Sequence, residues 1–240
     1  MRQKNGFKKG ITDGLPICIG YFSVSFAFGV FAVSNGMSVI EAVLISMTNL
    51  TSAGQLAAVP IICAGGSFIE LALSQLVINS RYLFMSASLS QKLSSQMSVV
   101  QRLIVSFGNT DEIFAVALSN DTQLEARYMY GLILTPFLGW TFGTLAGAVA
   151  GNILPSVIVS ALGVAIYGML TAVVLPQIKK SKSMALCAFI AIVLGCCFEY
   201  LPFLSSLPGG FAVIISAVVA AAVLAVAAPV KMQEEENACD

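Results

Sequence analysis

The stretch that decides the fold is Tyr128–Gly151, YMYGLILTPFLGWTFGTLAGAVAG, a run of 24 residues without a charged side chain. A helix needs about 20 mostly apolar residues to cross a bilayer, so this run predicts a transmembrane helix. Every fourth position on one face of that helix is a glycine: Gly139, Gly143, Gly147 and Gly151. A smooth glycine face lets another helix approach closely, and that helix can belong to this chain or to a partner subunit.

The composition extends this conclusion to the whole chain. Of its 240 residues, 58 % are hydrophobic and only 10 % are charged, whereas a soluble domain carries about 25 % charged residues. A soluble protein of this size cannot bury so much apolar surface, which excludes a soluble enzyme and a disordered chain. The formal net charge is zero and histidine is absent, so we expect no nucleic-acid partner and no metal site. The natural surroundings of this chain are a lipid bilayer.

Apolar stretches divided by short Gly, Pro, Ser or Asn clusters follow one another along the chain. We predict an all-α, polytopic transmembrane helix bundle with six to eight membrane segments, some of them broken or re-entrant. Residues 1–240 form one transmembrane domain, with a basic N-terminus at 1–13, the bundle at 14–230 and an acidic tail at 231–240. The stretches are Gly14–Ser34, Val39–Cys63, Ser67–Leu89, Leu103–Ser119, Tyr128–Gly151, Val157–Pro176, Met184–Tyr200 and Gly210–Pro229.

Basic residues set the expected orientation, because they favour the cytoplasmic side. Lysines and arginines before residue 10 and around 179–182 place both termini in the cytoplasm of a multi-pass inner-membrane protein. Two arrangements satisfy the charges. With eight crossings, Lys92 and Arg102 face outside. With six, Val39–Cys63 and Leu103–Ser119 are re-entrant, and all flanking cations face inside.

The second stretch carries a polar cluster at its centre. Asn49, Thr51, Ser52 and Gln55 lie where lipid would penalise polar groups. A glycine and several hydroxyl side chains weaken the helix there, and the freed backbone groups need a water-lined or ligand-lined cavity. We therefore expect a broken helix with a binding role. The alternative is that Asn49 and Gln55 only join neighbouring helices by hydrogen bonds.

The third stretch holds Asn79 and Arg81. Arginine stays charged, so Arg81 either reaches the interface by snorkelling or needs an acidic partner. Two residues apart on a regular helix, Asn79 and Arg81 point in different directions. They would share one site only where that helix is distorted.

The fourth stretch places two acids at its middle. Asp111 and Glu112 follow Gly108, Asn109 and Thr110, a turn signal and a helix-start signal in succession. A half-helix beginning here would stabilise both acids in its first turn. Asp111 or Glu112 then pairs with Arg81 or titrates during transport. The alternative is a water-exposed loop that dips only slightly into the membrane.

Catalytic and nucleotide-binding signatures are missing from the sequence. There is no P-loop, no nucleophile-elbow motif and no zinc-protease motif. No arrangement of nucleophile and base is recognisable. We therefore expect a protein that is not an enzyme and needs no cofactor.

Six short segments, in this order and spacing, are similar to a known family. The chain resembles the AzlC family of bacterial branched-chain amino-acid exporters from about Phe7 to Ala150, and more loosely to its end. Two departures bear on substrate choice. Many members have Phe-Ala-Gly before the glutamine, where this chain has Thr51, Ser52, Ala53 and Gly54. Many also have histidine after the arginine, where this chain has Tyr82. The segments are GLPICIGY at Gly14–Tyr21, FG at Phe28–Gly29, NLTSAGQ at Asn49–Gln55, NSRYLFMSASL at Asn79–Leu89, TDEIFA at Thr110–Ala115 and GWTFG at Gly139–Gly143.

The resemblance implies a two-component secondary exporter. Its large subunit would work with a small AzlD-like membrane protein and export leucine, isoleucine, valine and in some cases methionine. On this basis we expect one transporter domain that binds an amino acid through Asn49, Thr51, Ser52, Gln55, Asn79 and Arg81, with proton coupling or an ion pair at Asp111 and Glu112. Two other functions stay open: a non-transporting scaffold that holds a small partner on the Gly139–Gly151 face, and a passive channel for small solutes.

Overall fold

A computed structural model describes residues 6–120, 122–151, 182–201 and 209–227, together with short or single positions between 153 and 179 and at 203 and 207. Within these residues the regular structure is entirely helical, which confirms the predicted fold class. The chain divides into two compact units, Met1–Thr171 and Ala172–Asp240. The predicted stretch Val157–Pro176 lies largely outside the described residues, and so do the first five residues and the acidic tail.

Ten helices occur in the described part of the chain. Three of them are long and apolar enough to cross a membrane: Phe7–Ser34, Ala126–Gly151 and Lys182–Tyr200. The second unit contains α9 Lys182–Tyr200 and α10 Gly209–Ala227. The first unit contains α1 Phe7–Ser34, α2 Val39–Thr48, α3 Ser52–Cys63, α4 Phe68–Asn79, α5 Arg81–Lys92, α6 Val99–Phe107, α7 Asp111–Leu118 and α8 Ala126–Gly151.

The glycine face of α8 packs against α1. A Cβ atom built on Gly139 would lie 2.6 Å from the carbonyl oxygen of Cys18. On Gly143 it would lie 2.5 Å from the carbonyl oxygen of Phe22. Because residue numbers rise together along both helices, α1 and α8 run parallel, with their backbones in direct contact.

Glycines of α1 complete this contact from the other side. A Cβ atom on Gly10 would lie 2.8 Å from the backbone nitrogen of Leu132, and one on Gly29 would lie 2.6 Å from that of Ala148. The glycine face of α8 is therefore covered by this chain's own first helix. That leaves no open glycine face for the scaffold alternative to use.

The parallel pair supplies a depth scale for the first unit. We call the end where α1 and α8 begin the N side, and the end where they finish the C side. At 1.5 Å per residue the 28 residues of α1 extend about 42 Å, enough to cross a hydrocarbon core of about 30 Å. Tyr21 and Trp140, near the middle of these helices, meet edge to face with ring centroids 5.2 Å apart, and mark mid-depth.

Helices α2 and α3 form a re-entrant hairpin that enters from the C side. Ala42 of α2 and Val59 of α3 belong to one buried cluster with Ala148, near the C side. Leu50, between the two helices, packs instead with Tyr21 and Trp140 at mid-depth. The chain therefore reaches mid-depth and returns to the side that it left.

Helices α4 and α5 together make a crossing that is broken at Ser80. At mid-depth α4 lies beside the start of α3, where Gln75 Nε2 donates to the carbonyl oxygen of Gly54 over 2.9 Å. Following the break, α5 runs to the N side, where Leu93 pairs with Leu124 in an isolated bridge. This is the helix distortion that a shared site for Asn79 and Arg81 requires.

Helices α6 and α7 form the second re-entrant hairpin, which enters from the N side. At its tip a Cβ atom on Gly108 would press against the side chain of Ile133 of α8. Beyond α7 the chain is back at the N side, where Asn120 Nδ2 donates to the Tyr128 hydroxyl over 2.9 Å. Val39–Cys63 and Leu103–Ser119 are thus both re-entrant, as the arrangement with six crossings requires.

Candidate functional site

The three breaks in the helices meet at one cavity of about 210 Å³. Its lining combines hydroxyl and amide side chains with a few apolar ones. The first hairpin contributes its tip, the broken crossing contributes two residues, and the second hairpin contributes its own tip. The lining residues are Thr48, Asn49, Leu50, Thr51, Asn79, Tyr82, Ser106, Phe107, Asn109 and Thr110.

Serine side chains cap three helices that begin at the membrane sides, whereas no side chain caps the helices that begin at the cavity. Ser38, Ser67 and Ser98 start α2, α4 and α6, and each side chain accepts a hydrogen bond from the first helical turn. Thr51 and Thr110 start α3 and α7, and neither side chain makes such a bond. The first-turn N–H groups of these two helices, in a part of the chain that the structure describes fully, thus have no side-chain cap.

Amide side chains from two elements bring acceptor groups to the cavity. Gln75 is held by the Gly54 carbonyl, and its Oε1 accepts from Asn79 Nδ2 over 3.1 Å. Asn109, which is 3 % exposed, donates from Nδ2 to Ser86 Oγ over 3.3 Å. The Oδ1 atoms of Asn79 and Asn109 are buried without a hydrogen-bond partner.

An ion pair joins α5 to α7 beside the cavity. Arg81 Nη1 lies 2.6 Å from Asp111 Oδ2. The guanidinium also lies 4.9 Å from the ring centroid of Tyr82, and Nη2 donates to the Tyr82 hydroxyl over 3.2 Å. Asp111 is therefore the acidic partner that an arginine at this depth needs, and the Tyr82 ring fixes the direction of the guanidinium.

Glu112 has different neighbours from Asp111. The Tyr21 hydroxyl donates to Glu112 Oε2 over 2.5 Å, and it lies 2.7 Å from Thr110 Oγ1. The ion pairs found in the described residues are Lys9–Asp13 and Arg81–Asp111. Glu112 is thus linked to the cavity lining through neutral hydroxyl groups.

The structure places Gln55 away from the cavity lining. Its side chain is fully buried, accepting from Trp140 Nε1 over 3.0 Å and donating to Ser46 Oγ over 3.1 Å. Ser46 Oγ in turn lies 2.7 Å from Thr144 Oγ1. Both ends of the amide are bound within the protein, so Gln55 joins α3 to α2 and α8. This is the alternative in which Gln55 only links neighbouring helices by hydrogen bonds. Ser52 opens α3 and is not a lining residue either.

Other predicted positions divide between the cavity and its flanks. Asn49, Thr51 and Asn79 line the cavity, while Arg81 and Asp111 form the adjacent ion pair. Sequence reasoning missed Tyr21 and Asn109 as site residues, and it named Tyr82 only as a departure from the family that bears on substrate choice. Asn109 stands in the turn signal that predicted the start of α7, so that signal could have identified it. An aromatic residue in an apolar stretch is ordinarily a core residue, and nothing marked Tyr21 as a site residue.

The arrangement offers both signs of partial charge in a small space. Uncapped helix starts carry positive partial charge and suit an anionic group. Free amide oxygens suit a hydrogen-bond donor, including a cationic one. Leu50 and Phe107 add apolar surface to the same lining. A small zwitterion with an aliphatic side chain matches this combination.

Comparison with known proteins gives consistent results. A family model described as "AzlC protein" matches residues 16–154, a range that includes every cavity residue. The chain is 30 % identical over 195 residues to "Inner membrane protein YgaZ" of Escherichia coli (strain K12), which covers 78 % of each chain.

Two further relatives extend the comparison. An Archaeoglobus fulgidus protein described only as a membrane protein is 33 % identical over 175 residues, 72 % of this chain and 76 % of the relative. "Branched-chain amino acid transport protein AzlC" of Bacillus subtilis (strain 168) is 22 % identical over 149 residues, 61 % of this chain and 58 % of the relative. No solved structure matches the chain.

Proposed function

The chain belongs to the AzlC family of membrane proteins, and from that premise we propose that it is the large subunit of an exporter of leucine, isoleucine and valine, with methionine as a further substrate. A relative named for branched-chain amino-acid transport supports this substrate class. The cavity chemistry supports it independently, because a branched-chain amino acid is a small zwitterion with an aliphatic side chain.

The observation that carries the proposal is the pair of uncapped helix starts. Helix α3 leads away from the cavity toward the C side, and α7 leads away toward the N side. Their positive ends both point to mid-depth, the arrangement that broken helices of secondary transporters use to hold a carboxylate. Arg81 is engaged by Asp111, so we assign the substrate carboxylate to these N–H groups and not to Arg81. The N–H groups of α3 are the main donors, because the first turn of α7 already carries Asp111 and Glu112.

Alternating access follows from the opposite entry of the two hairpins. The α2–α3 tip separates the cavity from the C side, and the α6–α7 tip separates it from the N side. Withdrawing one tip would open the cavity to one side only, which is what a carrier requires. A passive channel would need both tips withdrawn together.

Proton coupling belongs in this proposal to Glu112. Asp111 is already paired with Arg81, whereas Glu112 accepts a hydrogen bond from the neutral Tyr21 hydroxyl. The other ionisable groups around it are Arg81 and Tyr82 of α5 and its neighbour Asp111. Tyr21 connects Glu112 to Thr110, which starts α7, so a proton on Glu112 would alter the hydrogen bonds at the cavity.

The partner and the orientation are further parts of the proposal. Resemblance to the family implies a small AzlD-like membrane subunit. The parallel course of α1 and α8 puts Lys8, Lys9 and Arg127 on one side, which under the positive-inside rule is the cytoplasm. With both termini cytoplasmic, export proceeds from the N side to the C side.

The experiment is leucine efflux from proteoliposomes, measured for the chain alone and together with a small AzlD-like membrane subunit. We expect saturable efflux of leucine, isoleucine and valine that accelerates when the outside is made acidic. Glycine and lysine should be poor substrates, because one lacks the aliphatic side chain and the other carries an extra charge.

Each alternative function gives a different result in that assay. A channel gives flux that rises in proportion to leucine concentration without saturating. A scaffold gives no flux above that of empty liposomes, with or without the small subunit. Either outcome would remove the exporter proposal.

Substituting glutamine for Glu112 tests the coupling. Glu112→Gln keeps the hydrogen bond with Tyr21 but removes the proton-binding group. We expect exchange of internal for external leucine to persist, while the acceleration of net efflux by a pH gradient is lost. Exchange is measured with labelled leucine at equal pH, and net efflux with the gradient imposed.

A matched control is Glu125→Gln, since Glu125 is exposed on the connection before α8. This variant should keep both exchange and gradient-driven efflux. If Glu112→Gln responded to the gradient as fully as the control, Glu112 would not be the coupling residue.

A further inference from the structure

We infer that the side-chain amide oxygens of Asn79 and Asn109 form an ammonium subsite, which restricts this cavity to ligands with a protonated amino group. The inference rests on the proposed function and deepens it. It predicts that the keto acid corresponding to leucine, which differs only in lacking the ammonium group, is excluded. Neither asparagine oxygen has a partner within the protein, and both residues line the cavity.

The orientation of the Asn79 amide follows from a chain of hydrogen bonds. The Gly54 carbonyl oxygen can only accept, so Gln75 must turn its NH₂ group toward it. Gln75 Oε1 therefore faces Asn79, and because this oxygen can only accept, Asn79 must donate to it from its NH₂ group. Asn79 Oδ1 is what remains, an acceptor fixed in place by its neighbours. Gln75 is thus a positioning residue for Asn79.

Asn109 provides a second acceptor from a different element. It is almost fully buried at the tip of the second hairpin, and its NH₂ group is occupied by Ser86 Oγ. A buried polar atom without a partner costs free energy, so such atoms ordinarily face a ligand or an ordered water. The two oxygens belong to different elements that line the same cavity, and each is an acceptor for an ammonium group, which has several donors.

Uncapped helix starts at the same cavity complete the recognition of a zwitterion. The N–H groups that follow Thr51 and Thr110 offer donors to a carboxylate. The N–H donors and the amide-oxygen acceptors therefore lie at different places around one cavity of about 210 Å³. A ligand with a carboxylate but no ammonium would leave both asparagine oxygens buried and unpaired, and sites of this kind reject such analogues strongly.

The test is competition for leucine binding to the purified full chain, with labelled leucine and three unlabelled compounds. These are leucine, 4-methyl-2-oxopentanoate and 3-methylbutylamine. We expect the keto acid to compete about 10- to 150-fold more weakly than leucine, as for loss of hydrogen bonds to a charged group. The amine, which keeps the ammonium group, should compete measurably. Binding should not depend on sodium.

Variants then assign the discrimination to the asparagine. Asn79→Leu should weaken leucine binding by about tenfold or more and leave the affinity for the keto acid unchanged. Gln75→Leu should act in the same direction through loss of the fixed amide. The control is Ser80→Ala, next in the chain, whose hydroxyl bonds only to the Val77 carbonyl on an exposed surface.

The outcomes separate this inference from the proposed function. Equal competition by leucine and the keto acid would overturn the ammonium subsite while leaving leucine export intact. So would a strict sodium requirement, which would assign the two oxygens to a metal ion. Absence of leucine binding and transport in the wild type would overturn both. The wild-type comparison needs no variant, so the inference stays testable if Asn79→Leu fails to fold.

Discussion

Gly147→Ala is expected to disrupt the pairing of α1 with α8 and to prevent the first unit from folding. The added Cβ would lie 2.7 Å from the carbonyl carbon of Phe26 and closer still to its oxygen. Both atoms belong to the backbone of a helix, so no side-chain rotation can relieve the clash. The two helices would have to separate along their whole length.

The expected effect is large because these helices are the framework for everything else. Overpacking ordinarily costs about 1–3 kcal/mol, and here separation would also strip packing from the two hairpins that contact α8. We expect most of the Gly147→Ala protein to aggregate when extracted in mild detergent. Size-exclusion chromatography of a fluorescent fusion measures the folded fraction directly.

Gly20→Ala is the matched control, because Gly20 lies in α1, is exposed and has nothing within 4 Å of an added Cβ. Alanine exceeds glycine in helix propensity by about 1 kcal/mol, so this variant should fold at least as well as the wild type. A normal elution profile for Gly147→Ala would contradict the backbone contact between α1 and α8.

The sequence indicated the close helix contact but not its partner. Four evenly spaced glycines in α8 form an obvious face, whereas the α1 glycines that meet it, such as Gly10 and Gly29, follow no regular spacing. A parallel pairing of helices far apart in sequence is a tertiary property. Nothing local in either helix specifies it.

The breaks in the helices were predictable, but the paths of the chain beyond them were not. Glycine and hydroxyl residues correctly predicted a break near Asn49, and turn and cap signals correctly predicted the start of α7 at Asp111. The length of Val39–Cys63 suits either a crossing or a hairpin, and only contacts such as that of Val59 with the Ala148 cluster distinguish them. Re-entrance therefore became visible only in three dimensions.

The candidate site shows the same division. Polar residues inside apolar stretches pointed to Asn49, Thr51 and Asn79, which line the cavity. The same signal also selected Gln55, which satisfies its amide within the protein and does not line the cavity. Sequence alone cannot distinguish a polar group that is free to bind a ligand from one whose hydrogen bonds are satisfied within the protein, because the difference lies in the residues that surround it in space.

Arg81→Gln is expected to lower both the stability of the protein and its transport activity. Without the guanidinium, Asp111 would remain as an uncompensated charge near mid-depth, at a cost of about 2.5–3.5 kcal/mol. The link between α5 and α7 beside the cavity would also be lost. We expect a lower melting temperature in detergent and about a hundredfold less leucine transport, as for a displaced binding group.

The double variant Arg81→Gln with Asp111→Asn separates these two effects. Removing both charges abolishes the uncompensated carboxylate, so its melting temperature should return most of the way to the wild-type value. Transport should stay low, because neutral amides do not hold α5 and α7 in place as the ion pair does. Lys9→Gln is the control, since it removes the cation of an ion pair at the N side. That pair lies near the N-terminal end of α1, and the Tyr128 hydroxyl still donates to Asp13 when the lysine is gone, so its loss should cost only about 0–1 kcal/mol.

Comparing the stability and transport of the single and double variants shows whether the Arg81–Asp111 pair stabilises the fold, supports transport or does both. A double variant as unstable as Arg81→Gln would mean that the arginine stabilises the fold through the Tyr82 ring and not by neutralising Asp111. A double variant with full transport would remove the pair from the mechanism. Recovery of stability without recovery of transport is the expected result, because the same two side chains compensate each other's charge and join the two elements that flank the cavity.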